Sequence, residues 1–170
     1  YVPERVVTNH DLAQFIDTSD EWIIQRTGIE ERRWVEGDVG ATDLAFEATK
    51  DALEEAGISA SDLDMIIFAT LSPDVNFPGS SCLLQKMLNI PGVATLDIRN
   101  QCTGFVYGLS IADQFIKTGM MNNILVVGAE VHSSGLDMTS RGRDITVLFG
   151  DGAGVAVVTA TDGDLSLIHS

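Results

Sequence analysis

One cysteine, Cys102, lies where the sequence passes from a strand to a helix. A run typical of a buried strand covers residues 93–98, and a helical pattern begins at Thr103. Sheets of α/β proteins bind ligands at the carboxyl ends of their strands, and the unpaired N–H groups of a helix N-terminus favour a thiolate. Cys102 is therefore a candidate covalent nucleophile, the alternative being a buried cysteine that packs as a small hydrophobic residue.

Cys82 and His132 are weaker candidates for a catalytic role. Cys82 falls in the middle of a predicted helix beside two leucines, which indicates a core position. His132 stands next to two serines in a loop, and nothing in the sequence shows that it approaches Cys102. We expect this histidine to be solvated.

No motif for a metal or for a resident nucleotide cofactor is present. The sequence has no H-x-x-H, C-x-x-C or EF-hand pattern, so we expect no metal. Residues 150–154 read Gly-Asp-Gly-Ala-Gly, but the third glycine of G-x-G-x-x-G would fall at Val155, and a strand follows instead of a helix. We expect these glycines to permit tight turns, and we predict no permanently bound cofactor.

Three helices are predicted in the first third of the chain, over residues 9–16, 18–27 and 43–56. Asn9 is the expected cap of the first helix. Thr18 and Glu21 have the spacing of a capping box at the start of the second. Gly28 and Gly57 are expected to end the second and third helices.

From there on, strands alternate with helices. The predicted strands cover residues 64–71, 93–98, 124–127, 155–159 and 165–168, the last two joined by a turn at residues 161–163. The predicted helices between them cover residues 79–88 and 103–118. This alternation implies right-handed crossovers and a mostly parallel sheet covered by helices, an α/β fold.

The composition limits the class of protein. The chain has 170 residues, 45% of them hydrophobic, which suits one well-buried domain over residues 1–170. Its net charge of −15 disfavours binding to nucleic acid or to anionic lipid. The longest apolar runs are far shorter than the roughly 20 residues that cross a bilayer, so no membrane span is predicted. The two cysteines and the lack of a signal peptide at this start favour the cytoplasm.

Three ordered blocks of the sequence resemble one enzyme family. The first is TSDEWI at residues 18–23 followed by RTGI at residues 26–29. The second is DIRNQCTGF at residues 97–105, and the third is FGDGAG at residues 149–154. These motifs are similar to those of the β-ketoacyl-acyl-carrier-protein synthase III family, and their order over nearly the whole chain makes the resemblance highly specific.

The resemblance implies a thiolase-like αβαβα fold, of which this chain would be the N-terminal one of two similar halves. It implies an acyltransferase in which Cys102 accepts the acyl group of acyl-CoA. Decarboxylative condensation with malonyl-acyl-carrier protein then starts a fatty-acid or related chain. The His and Asn that assist this step in the family belong to the half that is absent from this sequence.

Residues for binding coenzyme A also follow from the resemblance. Trp22 and Arg26, which share one face of a predicted helix, match positions that hold the nucleotide, as do Thr18 and Arg141. The indole would stack on adenine, and the guanidinium groups would pair with adenine or phosphate. Without the resemblance, the tryptophan would be read as half-buried core and the arginines as members of solvated ion pairs.

Two phenylalanines are placed in the substrate pocket by the same resemblance. Phe77 matches a residue that crosses the interface of a homodimer and closes the acyl pocket of the partner, and Phe149 is expected to line the pocket. Taken by itself, Phe77 would be a loop aromatic that packs onto its own subunit.

Two other functions stay open at the level of sequence. One is another CoA-thioester cysteine acyltransferase of the thiolase superfamily, such as a hydroxymethylglutaryl-CoA-type synthase, although the TSDEW block argues against it. The other is a non-catalytic domain that keeps the fold.

Many synthases of this type carry small residues just before the cysteine, whereas residues 99–101 of this chain read Arg-Asn-Gln. The acyl primer is therefore open: acetyl, a longer chain or a secondary-metabolite donor.

Overall fold

The computed structural model describes residues 1–161 and 167–169, which divide into two compact units. The sheet unit comprises Tyr1, residues 40–130 and the described residues from 153 onward, and the hairpin unit comprises residues 2–39 and 131–152. The strands are β1 (Val6–Thr8), β2 (Glu31–Arg33), β3 (Met65–Ala69), β4 (Ala94–Ile98), β5 (Asn123–Glu130), β6 (Gly152–Thr159) and β7 (Leu167–His169). The helices are α1 (Asn9–Leu12), α2 (Asp20–Thr27), α3 (Ala41–Ala56), α4 (Ser80–Met87), α5 (Gly104–Lys117) and α6 (Arg143–Thr146).

The sheet unit is built on five strands in the order β4-β3-β5-β6-β7. Strand β3 pairs in parallel with β4 on one side and with β5 on the other, whereas β6 and β7 pair antiparallel. This confirms the predicted mixed, mostly parallel sheet. No helix in the described part of the chain is long and apolar enough to cross a membrane.

Helices cover both faces of this sheet because its central strands are apolar on both sides. All five residues of β3 are buried, and successive side chains of a strand point to opposite faces. Met65 and Ile67 lie in one cluster with Ala112 of α5. Ile66 and Phe68, on the other face, are also fully buried, and α3 and α4 contact the central strands. The unit is therefore a three-layer α/β/α structure.

Two glycines let α5 lie unusually close to the sheet. A Cβ added to Gly104 would lie 3.0 Å from the Cβ of Ala69, and one added to Gly108 would lie 3.0 Å from Val126 and 3.4 Å from Ile67. Gly104 and Gly108 are one helical turn apart, so they form a strip without side chains that faces the sheet. The position of α5, and of the turn before it, is set by this contact.

The hairpin unit is organised around a buried arginine. Strands β1 and β2 form a short antiparallel ladder, and the core includes Val7, Leu12, Ile23, Trp34 and Val147. Arg32 points into this core and donates hydrogen bonds to Val7 O at 3.2 Å, Asn9 Oδ1 at 2.8 Å and Val147 O at 3.1 Å. Burial lowers the pKa of Arg32, and these three acceptors are all uncharged. Through these hydrogen bonds Arg32 connects β1 with the distant segment that contains Val147.

Most predicted helices are confirmed with shifted ends. The cap of α1 is Thr8 instead of Asn9, and α1 ends at Leu12 instead of Ile16. The side chain of Ser19, not Thr18, caps α2 by accepting from Trp22 N at 3.1 Å. The predicted ends at Gly28 and Gly57 are confirmed, since both glycines adopt the left-handed conformation after the last helical residue.

The strand predictions need larger corrections. Strand β4 is half-exposed, not buried, because it is the edge strand of the sheet. Strands β5 and β6 are longer than predicted, and β1, β2 and α6 were not predicted at all. The predicted strand over residues 165–168 corresponds to β7 at 167–169. Residues 162–163 of the predicted turn and residues 165–166 lie outside the described residues.

Replacing Gly108 with valine tests the close approach of α5. The branched side chain would have to displace Val126 or Ile67, so we expect the free energy of unfolding to fall by about 1–3 kcal/mol. Urea unfolding followed by circular dichroism measures it. Ser110→Val introduces the same side chain at an exposed position of α5 and controls for the effect of a β-branched residue within the helix. Equal stability of the two variants would contradict the close packing.

Candidate active site

Cys102 occupies a single helical turn between β4 and α5. The turn covers Gln101–Thr103, and the cysteine side chain is exposed to solvent. Gln101 has a φ of 41°, in the left-handed region that residues other than glycine rarely adopt. Such a conformation costs on the order of 1–3 kcal/mol and is common at functional sites. The predicted position of Cys102, after a strand and before a helix, is therefore found in the structure.

The N-terminus of α5 is open towards this turn. Thr103 makes no side-chain cap in the described structure, because its hydroxyl group accepts from Asn100 Nδ2 at 3.0 Å and donates to Asn100 O at 3.0 Å. Gly104 N donates to Gln101 O, and no side chain caps the other N–H groups of the first turn of α5, so those groups can stabilise a negatively charged atom. A thiolate or an oxyanion next to the cysteine is the kind of charge that they suit.

Cys82 lies closer to the start of its helix than predicted, and it is less exposed than Cys102. It is half-buried, with its Sγ 3.5 Å from Thr95 Oγ1, and it lies in the first turn of α4 instead of mid-helix. That helix N-terminus is already occupied, because Asp97 accepts from Ser81 N at 3.2 Å and from the Ser81 hydroxyl group. The carboxylate uses the N–H donors and repels a second negative charge. Cys82 is therefore the less favourable site for a thiolate.

Phe77 stands at the tip of a loop whose base is held by hydrogen bonds. Asp74 accepts from Thr42 N at 3.1 Å, from the Thr42 hydroxyl group and from Ser80 Oγ at 3.0 Å, which ties the loop to the first turns of α3 and α4. The side chain of Phe77 is 91% exposed. It does not pack onto its own subunit, so the plain interpretation of Phe77 is wrong.

In the hairpin unit, the indole ring of Trp22 is in contact with two guanidinium groups. The Cζ atom of Arg26 is 4.3 Å from the centre of the indole ring, and that of Arg143 is 4.5 Å from it. The predicted pairing of Trp22 with Arg26 on one helix face is thus found. Arg143 was not singled out from the sequence, since nothing in its local pattern connects it with Trp22.

Arg141, the second arginine expected at the nucleotide, lies elsewhere. Its side chain is 89% exposed and pairs with Asp137, with Nε and Nη2 each 2.8 Å from Oδ2. Hydrogen bonds from Thr139 and then from Arg141 lower the pKa of Asp137. The cation that the structure brings to Trp22 from this segment is Arg143, and the role of Arg141 stays a prediction.

Three buried polar atoms in the same unit have no hydrogen-bond partner among the described residues. They are Thr18 Oγ1, Arg143 Nε and Arg32 Nε, the last of which lies in the core of the unit. Arg143 Nε is 3.5 Å from Asp144 Oδ1, an ion-pair distance at which hydrogen-bond geometry is not met. Buried polar groups are normally paired, so unpaired atoms of this kind mark a place where a ligand or water completes the structure.

Phe149 is held from two sides by its neighbours. Its ring stacks on His132, with ring centroids 4.7 Å apart and an angle of 19° between the planes. Asp151 accepts from Ser133 N at 2.9 Å and from Val35 N at 2.8 Å, which fixes the segments on either side. His132 is therefore half-buried against an aromatic ring and not a solvated loop residue as predicted.

The other two histidines are His10 and His169. His10 is exposed on α1, and the side chain of His169 lies outside the described residues. Where the structure is described, no group of three or more His, Cys, Asp or Glu side chains is placed to hold a metal ion.

Comparison with known proteins identifies relatives along the whole chain. A family profile described as 3-oxoacyl-[acyl-carrier-protein (ACP)] synthase III matches residues 96–170. The β-ketoacyl-[acyl-carrier-protein] synthase III of Caldanaerobacter subterraneus is 49% identical over 170 residues, which is 100% of this chain and 51% of that protein. That of Geobacillus kaustophilus is 51% identical over 158 residues, 93% of this chain and 50% of that protein.

Solved structures agree with these relatives. The 3-oxoacyl-[acyl-carrier-protein] synthase III from Aquifex aeolicus superposes with a TM-score of 0.92 at 49% identity, covering 96% of this chain and 52% of that one. The priming β-ketosynthase of the R1128 polyketide pathway has a TM-score of 0.90 at 34% identity, covering 96% and 48%.

The fold and the cysteine at a strand-to-helix junction place this chain among the thiolase-like proteins, which confirms the predicted fold class. Within that class, the chain belongs to the β-ketoacyl-[acyl-carrier-protein] synthase III family. It spans about half the length of the curated relatives that it matches.

The two cysteines should differ in reactivity towards iodoacetamide. We expect Cys102 to be alkylated on the order of tenfold faster than Cys82, because it is exposed at an open helix N-terminus while Asp97 occupies the other. Peptide mapping by mass spectrometry over a time course measures both rates. Cys102→Ala is the control that should remove the fast phase, and faster labelling of Cys82 would contradict the assignment.

Proposed function

We propose that this chain supplies the acyl-accepting cysteine and the coenzyme A site of a β-ketoacyl-acyl-carrier-protein synthase III. The enzyme condenses an acyl-CoA primer with malonyl-acyl-carrier protein and so initiates fatty-acid or related chain synthesis. The observation that carries the proposal is Cys102, an exposed thiol at the open N-terminus of α5, in a chain that belongs to this family.

The first half of the reaction needs little more than this turn. The Cys102 thiolate attacks the thioester carbonyl carbon of acyl-CoA, the carbonyl oxygen becomes an oxyanion, and the C–S bond to CoA breaks as CoA thiolate leaves. The open N–H groups at the start of α5 stabilise negative charge before and during this step. In the second half, malonyl-acyl-carrier protein loses carbon dioxide, and its carbanion attacks the acyl-cysteine and releases the thiolate.

Coenzyme A binding is assigned to the surface around Trp22. The indole offers a face on which adenine can stack, and Arg26 and Arg143 add positive charge for the phosphates. Thr18 Oγ1 and Arg143 Nε, which lack partners within the described residues, would be satisfied by a bound nucleotide. This set fits the ligand better with Arg143 than with Arg141, because Arg141 makes a close ion pair with Asp137 at 2.8 Å, whereas the contact of Arg143 with Asp144 is longer, at 3.5 Å.

We assign two tasks to the half of the relatives that this chain does not match. One is to provide the His and Asn that assist decarboxylation and condensation. The other is to cover the outer face of α5, where Val106 is 63% exposed, Met120 after the helix is 65% exposed, and Tyr107 and Phe115 line an open apolar groove of about 350 Å³. Large exposed apolar patches of this kind normally mark an interface.

The substrate pocket and the assembly complete the proposal. Phe77, exposed at the tip of a braced loop, is assigned to the interface of a homodimer, where it closes the acyl pocket of the partner. Phe149, stacked on His132, is assigned to the wall of the acyl pocket. The substrates are acyl-CoA and malonyl-acyl-carrier protein, and the compartment is the cytoplasm.

Arginine substitutions in the full-length protein distinguish the two candidate cations. We expect Arg143→Ala to weaken binding of CoA about 5- to 30-fold, which corresponds to the loss of about 1–2 kcal/mol for a hydrogen bond to a charged phosphate. Isothermal titration calorimetry with CoA measures the dissociation constant. Arg141→Ala is the matched variant from the same segment, and a smaller effect is expected there. A larger loss of affinity in Arg141→Ala would mean that Arg141, and not Arg143, is the arginine that binds CoA.

The chain by itself should carry out only the first half of the reaction. We expect residues 1–170, incubated with acetyl-CoA, to acquire an acyl mass increment on the Cys102 peptide without condensing it with malonyl-acyl-carrier protein. The physical reason is that the acyl transfer uses the thiolate and α5, whereas condensation needs side chains assigned to the other half. Mass spectrometry of the Cys102 peptide measures it, with Cys102→Ala as control. Steady condensation by this chain would refute the division of tasks.

A further inference from the structure

The carboxylate of Glu130 accepts hydrogen bonds from three consecutive residues of a loop. Glu130 is the last residue of β5, and residues 70–72 directly follow β3, which pairs with β5 in parallel. Oε1 accepts from Leu71 N at 2.8 Å. Oε2 accepts from Ser72 N at 3.1 Å, from Ser72 Oγ at 2.6 Å and from Thr70 Oγ1 at 3.2 Å. We call residues 70–72 the anchored segment.

The anchored segment begins beside the turn that carries Cys102. Thr70 N donates to Ile98 O at 3.1 Å, and Ile98 is the last residue of β4, just before that turn. After the turn, Gly104 approaches Ala69, the residue before Thr70, so closely that an added Cβ would lie 3.0 Å from the Cβ of Ala69. The anchored segment and the turn therefore share the carboxyl edge of the sheet, where α/β proteins bind their substrates.

The donors of the anchored segment suit an ionised carboxylate. A carboxylate only accepts hydrogen bonds and does so at both oxygens, whereas the amide of glutamine carries two donors in place of one oxygen. In Glu130→Gln, that amide group would face either the N–H group of Leu71 or the N–H and O–H groups of Ser72. Partly buried donors that lose their acceptor are costly, so the segment would shift. Its position therefore depends on the two oxygens of Glu130 and not only on the size of the side chain.

We propose that Glu130 is a positioning residue for acyl transfer, because it holds the anchored segment as a wall beside the acyl group that Cys102 attacks. This inference rests on the proposed function, since it concerns the same cysteine and the same step. The carboxylate acts through the segment, and its effect is on the orientation of the thioester carbonyl group. The rate is sensitive to that orientation, since a displacement of about 1 Å can slow a reaction about a hundredfold.

A small electrophile separates this role from support of the thiol itself. Iodoacetamide is not held by the protein, so its rate of reaction reports the exposure and ionisation of Cys102. The thioester of acyl-CoA has to be held against the thiolate, so its rate of reaction also reports positioning. A purely structural role of Glu130 would change both rates together, whereas a positioning role changes their ratio.

Glu130→Gln in the full-length protein tests the proposal, with acetyl-CoA and iodoacetamide as the two probes. We expect acylation of Cys102 to become about tenfold slower and alkylation to change less than about twofold. Mass spectrometry of the Cys102 peptide over a time course measures both rates. Asp64→Asn is the matched control, because half-buried Asp64 accepts from Asn122 N at 2.6 Å and from Asn123 N at 3.0 Å at the amino edge of the same strands. We expect neither rate to change in the control.

A second variant covers the case in which Glu130→Gln does not fold, as judged by circular dichroism. Ser72→Ala removes the shortest of the hydrogen bonds to Glu130 and leaves the main-chain bonds in place. We expect acylation to become about threefold slower in this variant and alkylation to stay unchanged.

The outcomes separate this inference from the proposed function. Equal losses in the two rates overturn the positioning role, because they trace the effect to the thiol. An unchanged acylation rate overturns it as well, and so does an equal change of the ratio in Asp64→Asn, which would indicate general loosening of the sheet. Absence of acylation in the wild-type protein overturns the proposed function, and the positioning role with it.

Discussion

The contact of α5 with the central strands is the constraint on which the rest of the proposed chemistry depends. A helix can approach a sheet this closely only where side chains are missing, and Gly104 and Gly108 provide that strip against Ala69 and Val126. The same contact fixes the first turn of α5 and the strained turn that carries Cys102. Packing in the interior thus determines where an exposed thiol stands.

Carboxylate side chains hold the other loops of the proposed site in place by accepting hydrogen bonds. Asp74 joins the loop of Phe77 to α3 and α4, Asp97 caps α4, and buried Asp151 holds the segments beside Phe149. Each accepts N–H groups of the main chain, which lets the chain keep irregular loops in fixed shapes without burying unpaired donors. The strong negative charge of the chain is therefore partly structural and is not simply a solvated surface.

The sequence allowed the elements with strong local signals to be predicted, and it failed where the cause is distant. Helix α3 could be placed because its apolar spacing and Gly57 are local, and β3 because it is uniformly apolar. Strand β2 could not, since three charged residues carry no strand pattern and Arg32 is buried only through partners far along the chain. In the site, Cys102 has a local signature, whereas Arg143 reaches Trp22 only through the tertiary structure.

The different surroundings of the two cysteines, at the N-termini of α5 and α4, bear on which of them is oxidised in air. An exposed thiolate also reacts with peroxide, passing from sulfenic to sulfinic acid, and the second step is not reversed by ordinary reductants. Cys102 is exposed to solvent, whereas Cys82 is half-buried beside the cap of Asp97. Oxidation of Cys102 would therefore remove the thiol that we propose accepts the acyl group while the fold stays intact, so a sample could appear well folded after that thiol has been lost.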